Sequence, residues 1–85
     1  MIKRVIQRKQ TASNKDLLRE ILAHNIRRLR LEQAVSQEEL AFRCELDRTY
    51  ISAIERCVWN ISLGNIEKIA IALQVEPWQL LLPPD

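Results

Sequence analysis

Between Ser36 and Leu73 the chain reads SQEELAFRCELDRTYISAIERCVWNISLGNIEKIAIAL, and this stretch limits the available folds more than any other. Three times a Ser or Asp stands just before apolar residues at helical spacing. Ser36 precedes Leu40, Ala41 and Cys44; Asp47 precedes Ile51 and Ile54; Ser62 precedes Leu63, Ile66, Ile69, Ala70 and Leu73. Such side chains accept hydrogen bonds from the free backbone N–H groups at a helix start. Glu39, three residues after Ser36, completes a capping box, and Glu39 with Arg43 forms a supportive i,i+4 pair. The spacing predicts two short helices joined by a tight turn at Glu45-Leu46, with Leu46 as an apolar anchor. A polar loop, Arg56 to Ile61, and a third helix follow.

The flanking sequence adds two more helices. Leu17, Leu18, Ile21, Leu22, Ile26 and Leu29 recur at spacings of three and four, which predicts a buried stripe on a helix from about Asn14 to Gln33. Ser13 with Asp16 resembles its cap, and Arg27, Arg28 and Arg30 lie near its end, where cations suit the helix dipole. Pro77 fits the first position of a fifth, short helix carrying Trp78, Leu81 and Leu82. One Gly and three Pro leave few turn residues for a β fold. The expected architecture is all-α with five helices, in two parts: a basic N-terminal arm over 1–13 and a single domain over 14–85.

Charge is unevenly spread. Residues 1–30 hold nine basic and two acidic residues, whereas residues 31–85 hold four basic and nine acidic. A uniformly basic coat for nucleic acid is therefore excluded, while a basic arm on a near-neutral reader is not. Cys44, Cys57 and His24 lack the number and spacing of a zinc set, so no metal or cofactor is expected and the thiols read as reduced. No apolar run approaches the ~20 residues of a membrane span. Catalysis is not expected, because no base stands near Ser52 or Ser62 and no glycine-rich phosphate loop occurs.

The second short helix has the chemistry of a major-groove reader. A groove-inserted helix needs short or forked polar groups at its start. Arg48 can reach a guanine bidentately, Thr49 and Ser52 are short enough to touch bases, and Ala53 permits close approach. Flanking groups must fix the register on phosphates. Gln37, Arg43, Tyr50, Arg56 and Asn60 are the candidates. Arg30 and Glu55 are suited to an inward ion pair between helices one and three. The apolar Leu80–Leu82 end, with Trp78, suits a homodimer interface built on Trp78, Leu81 and Leu82.

Residues 24–82 resemble the lambda-repressor-like (Xre/Cro/cI) helix-turn-helix family. The resemblance is carried by NIRRLRLEQAVSQEELA, DRTYISAIER, and NISLGNIEKIAIALQV followed by EPWQLL. DRTYISAIER followed by Asn60-Ile61-Ser62 is most similar to the restriction–modification controller proteins. The resemblance implies a cytoplasmic, bacterial or phage-derived regulator. Its partners would be palindromic double-stranded operator DNA, a second copy of the chain, and RNA polymerase. It further implies Arg48, Thr49 and Ser52 near bases, Tyr50 and Asn60 near the backbone, Gln37 on a phosphate, Arg30 paired with Glu55, and the last helix in the dimer. An alternative use of the same fold is an antitoxin-type module whose main partner is another protein. Three positions depart from the family, which usually has Gly where this chain has Glu45, Cys57 and Gln74. Either these turns avoid positive φ or they carry strain. The first helix is expected to begin one to two turns earlier than is usual.

Overall fold

The structure, a computed structural model, describes residues 14–84. The expected arm over 1–13, including Ser13 of the proposed cap, lies outside the described residues. Among the described residues there are four α-helices and no strand: α1 (Asn14–Glu32), α2 (Gln37–Cys44), α3 (Arg48–Glu55) and α4 (Leu63–Leu73). The fifth element, Pro77–Leu81, is a 3-10 helix rather than the expected α-helix. Five residues between Pro77 and the Pro83-Pro84 pair are too few to build an i→i+4 ladder, and tight i→i+3 turns are the usual outcome.

Each short helix starts where its cap dictates. Ser36 Oγ accepts from Glu39 N at 2.9 Å, Asp47 Oδ1 from Thr49 N at 2.7 Å, and Ser62 Oγ from Asn65 N at 3.1 Å. The Glu39 carboxylate does not close its half of the box; it accepts from Arg43 Nε at 3.0 Å instead.

The helix ends share one device. After α1, α2, α3 and α4 the chain turns at Ala34, Glu45, Cys57 and Gln74, all with φ between 57° and 62°. At each, two backbone bonds close the helix: Ala34 N to Leu31 O and Val35 N to Arg30 O; Glu45 N to Phe42 O and Leu46 N to Ala41 O; Cys57 N to Ile54 O and Val58 N to Ala53 O; Gln74 N to Ile71 O and Val75 N to Ala70 O. This is the Schellman arrangement, which normally uses glycine. The three departures from the family therefore do adopt the left-handed conformation, and Ala34 is a fourth. The single glycine of the chain, Gly64, sits inside α4 instead.

The core forms where the apolar faces meet. Leu22 and Ile26 of α1, Leu40, Ala41 and Cys44 of α2, Ile51 and Ile54 of α3, and Ile66, Ile69, Ala70 and Leu73 of α4 pack together, with Val35 and Leu80 filling between them. Leu46 anchors the α2–α3 turn against this cluster. Three leucines expected in the stripes are outside it: Leu17 and Leu18 are exposed, and Leu63 is 78% exposed. All three stand at helix beginnings, where the correct angular face has no described helix to meet. Asn25, buried in α1, donates through Nδ2 to Leu80 O and Leu82 O, each at 2.8 Å, and ties the chain end to α1.

Candidate nucleic-acid interface

The turn at Glu45 delivers α3 across α2, and the Asp47 cap leaves its first turn free. Arg48 and Thr49 are exposed and Ser52 is half-buried. Ala53 was expected on this side but is only 1% exposed. It turns into the core beside Ile54, and its carbonyl receives Val58 N. The outward face of α3 is thus Arg48, Thr49 and Ser52, without Ala53.

Behind that face lies one polar cluster. Arg30 Nε donates to Glu55 Oε2 at 2.7 Å and Arg30 Nη2 to Glu55 Oε1 at 3.0 Å, while Nη1 donates to Val35 O at 2.9 Å. The two side chains are 11% and 4% exposed. A two-bond guanidinium–carboxylate fork is strong and directional. The hydrogen bonds it donates to Glu55 hold the Arg30 guanidinium above its ordinary range, against the opposing effect of burial. Gln37 Nε2 also donates to Glu55 Oε1, at 3.0 Å. Glu55 therefore joins α1, the start of α2 and the end of α3. The tie from Gln37 was not visible in the sequence, where Gln37 read only as a phosphate ligand.

This cluster also sets the local field. From Arg48 to Ile66 the only acidic residue is Glu55, in a region of the chain that is otherwise acid-rich. Its carboxylate faces inward onto Arg30 and Gln37. The surface of α3 and of the following loop presents Arg48 and Arg56 with no exposed carboxylate of its own.

The remaining candidates are spread around this face. Arg56 and Asn60 are exposed in or near the loop. Arg43 is exposed on α2 and engaged by Glu39. Tyr50 is half-buried; its Oη accepts from Asn65 Nδ2 at 3.0 Å, which leaves the phenolic O–H to donate outward. Trp59 packs on Tyr50, with ring centroids 5.8 Å apart and planes at 40°. Neither Asn65 nor this ring pair was singled out from the sequence. At the opposite end, Trp78 is 60% exposed, Leu82 is exposed and Leu81 is half-buried over the buried Leu80. Ile71, exposed on α4, adds to the apolar surface of the two elements.

Two capped short helices joined through a left-handed turn, the second offering free polar groups at its start, define a helix-turn-helix protein. The chain belongs to the helix-turn-helix family, whose profile matches residues 26–77, and within it to the control proteins. It is 52% identical over 65 residues to the control protein C.BamHI of Bacillus amyloliquefaciens, covering 75% of this chain and 80% of that one. It is 61% identical over 67 residues to a hypothetical transcription factor of Neisseria meningitidis, covering 79% of this chain and 63% of that protein. The crystal structure of the Neisseria factor superposes with a TM-score of 0.77, over 79% of this chain and 77% of that one. The restriction–modification controller C.Esp1396I, solved as a tetramer with its natural 35-base-pair operator, is 38% identical with a TM-score of 0.69, over 74% of this chain and 83% of that one.

Proposed function

We propose that this chain is a sequence-specific transcription regulator that binds a palindromic operator as a homodimer and serves as the control protein of a restriction–modification system. The observation that carries the reading is the α3 face: Arg48, Thr49 and Ser52 make no side-chain hydrogen bond to any described residue, and the one carboxylate from Arg48 to Ile66, Glu55, is held inward by Arg30. The relatives reported above, one of them solved on its operator, support the same role.

In this reading Arg48 reads a guanine, Thr49 and Ser52 touch neighbouring base edges, and Tyr50, Arg56 and Asn60 fix the register on phosphates. Arg43 joins them by releasing Glu39, an exposed pair of small worth. Gln37, fastened to Glu55 by its side chain, offers its backbone N–H at the start of α2. Trp78, Leu81 and Leu82 form the dimer contact, and residues 1–13 act as a basic arm beside the domain over 14–85. With the chain working in a bacterial cytoplasm, RNA polymerase is the partner through which a DNA-bound dimer acts on transcription.

The test is a footprint of the purified protein on the DNA upstream of its own gene, against scrambled competitor. Protection of a symmetric site, with half-sites about 34 Å apart, is the expected result. Folded protein that protects nothing above competitor would overturn the proposal.

A further inference from the structure

The loop between α3 and α4 holds a residue that the Arg48 face does not use. Trp59 is 46% exposed, beside the end of the reading helix. It is nevertheless not loosely placed. Its ring rests on Tyr50, and the Tyr50 hydroxyl is held by Asn65 of α4, whose own backbone N–H bonds Ser62 Oγ. The loop leaves α3 through the left-handed Cys57, with Cys57 N and Val58 N both bonded back to the helix. A large aromatic side chain is thus fixed at the surface on a platform shared by two helices.

Three further observations bear on its use. Trp59 is not among the residues of the core cluster or those packed against it. Indole Nε1–H is a donor, and it makes no hydrogen bond to any described residue. From Arg56 to Ile66 the sequence has no acidic residue, and Arg56 and Asn60 flank the indole on the chain. A half-exposed ring with a free donor, in an acid-free loop, matches a ligand with anionic oxygens next to an apolar ring. The sugar–phosphate backbone of DNA has both.

We infer that Trp59 is a DNA-backbone contact flanking the bases read by α3, with Nε1–H donating to a phosphate oxygen and the indole face lying on the adjoining deoxyribose. This inference rests on the DNA-reading function proposed above. Two consequences separate it from the roles of the arginines. A backbone contact strengthens binding to every sequence alike. A neutral donor displaces no counterion, so it leaves the salt dependence unchanged.

The experiment compares wild type, Trp59→Phe and Trp59→Ala on two labelled duplexes, one from upstream of the protein's own gene and one scrambled, at several salt concentrations. Thermal melts accompany each variant. The protein is also labelled with 5-fluorotryptophan; its two fluorine lines are assigned with Trp59→Phe and followed as DNA is added. Trp59→Phe keeps the ring and loses the donor, so its affinity should fall about threefold to tenfold on both duplexes. Trp59→Ala loses the ring as well and should fall about tenfold to a hundredfold, with the salt slope unchanged. The Trp59 fluorine line should move with both duplexes. If Trp59→Ala does not fold, Trp59→Phe and the wild-type fluorine line decide. Wild-type binding with unchanged variants and a stationary line overturns this inference alone. Loss on the gene-derived duplex only would make Trp59 a base reader and overturn the backbone assignment. Wild type that binds neither duplex overturns the DNA-reading function together with it.

Discussion

Replacing Gln74 by Gly should make the protein more stable. Gln74 ends α4 at φ 62° and ψ 41°, is exposed, and contributes its backbone N–H to the closing turn. A non-glycine residue held there costs about 1–2 kcal/mol, from the approach of Cβ to the carbonyl oxygen. Glycine removes that cost but gives the unfolded chain more freedom, which returns about 0.4–1 kcal/mol. The net expectation is a gain of about 0.5–1 kcal/mol. For a domain of this size that raises Tm by about 2–8 °C. Ala34 and Glu45 are likewise exposed at φ 57° and 60°, so Ala34→Gly and Glu45→Gly should each add a similar increment. The complementary change is Gly64→Ala. Gly64 lies in α4 with negative φ, and an added Cβ would meet nothing nearer than Ser62 Oγ at 4.0 Å. Helix propensity then favours Ala by up to about 1 kcal/mol. The assay is thermal and urea unfolding followed by circular dichroism at fixed protein concentration, since the proposed dimer would couple Tm to concentration. A Gln74→Gly variant with equal or lower stability, with the native fold retained, would refute the strain argument.

Four further outcomes are expected. Glu55→Ala leaves Arg30 nearly buried without its carboxylate and should cost about 3–5 kcal/mol in urea unfolding; a loss under 1 kcal/mol would show that the fork is not structural. Arg48→Ala should leave Tm unchanged, because the side chain is exposed, while weakening operator binding by about 1–3 kcal/mol and relaxing one operator position in a selection experiment. Burial pushes the Cys44 thiol up, with Lys68 pulling weakly the other way; a raised value favours the protonated form in the fold, so this contribution to stability is whole below the ordinary thiol pKa and declines as pH rises through the raised one. Urea titrations across alkaline pH on wild type and Cys44→Ala should show that decline only where Cys44 is present. Trp78→Glu puts a charge on the exposed apolar end and should shift sedimentation equilibrium toward monomer; an unchanged mass distribution would move the dimer contact elsewhere.

What the sequence revealed followed from how local each signal is. Ser36, Asp47 and Ser62 act on N–H groups two or three residues away, so three helix starts could be read directly. Ile51 with Ile54, and Ile66 with Ile69, Ala70 and Leu73, belong to stripes long enough to define a face. Arg30 with Glu55 emerged because two opposite charges lay on inward positions of adjacent helices. Where the outcome depended on a neighbour's extent, the pattern misled. Leu17, Leu18 and Leu63 have the right spacing, but no described helix reaches them. Ala53 is small enough to suit either a groove or a tight core, and residue type alone does not distinguish the two. The Schellman turns were hardest to read, since the usual mark, glycine, is missing from all four. The Tyr50–Trp59–Asn65 cluster depends on a loop path that no periodicity encodes.

The inward hold on Glu55 has a consequence for how such a protein diversifies. Arg48, Thr49 and Ser52 have no side-chain hydrogen bond to any described residue, whereas Glu55, through its fork with Arg30 and its bond from Gln37, ties three helices together. In the proposed reading, specificity and scaffold are separable within one eight-residue helix. A lineage can rewrite the words it reads by changing the outer letters of α3, while the inner letter at Glu55 keeps the same frame and the same silent field behind every new word.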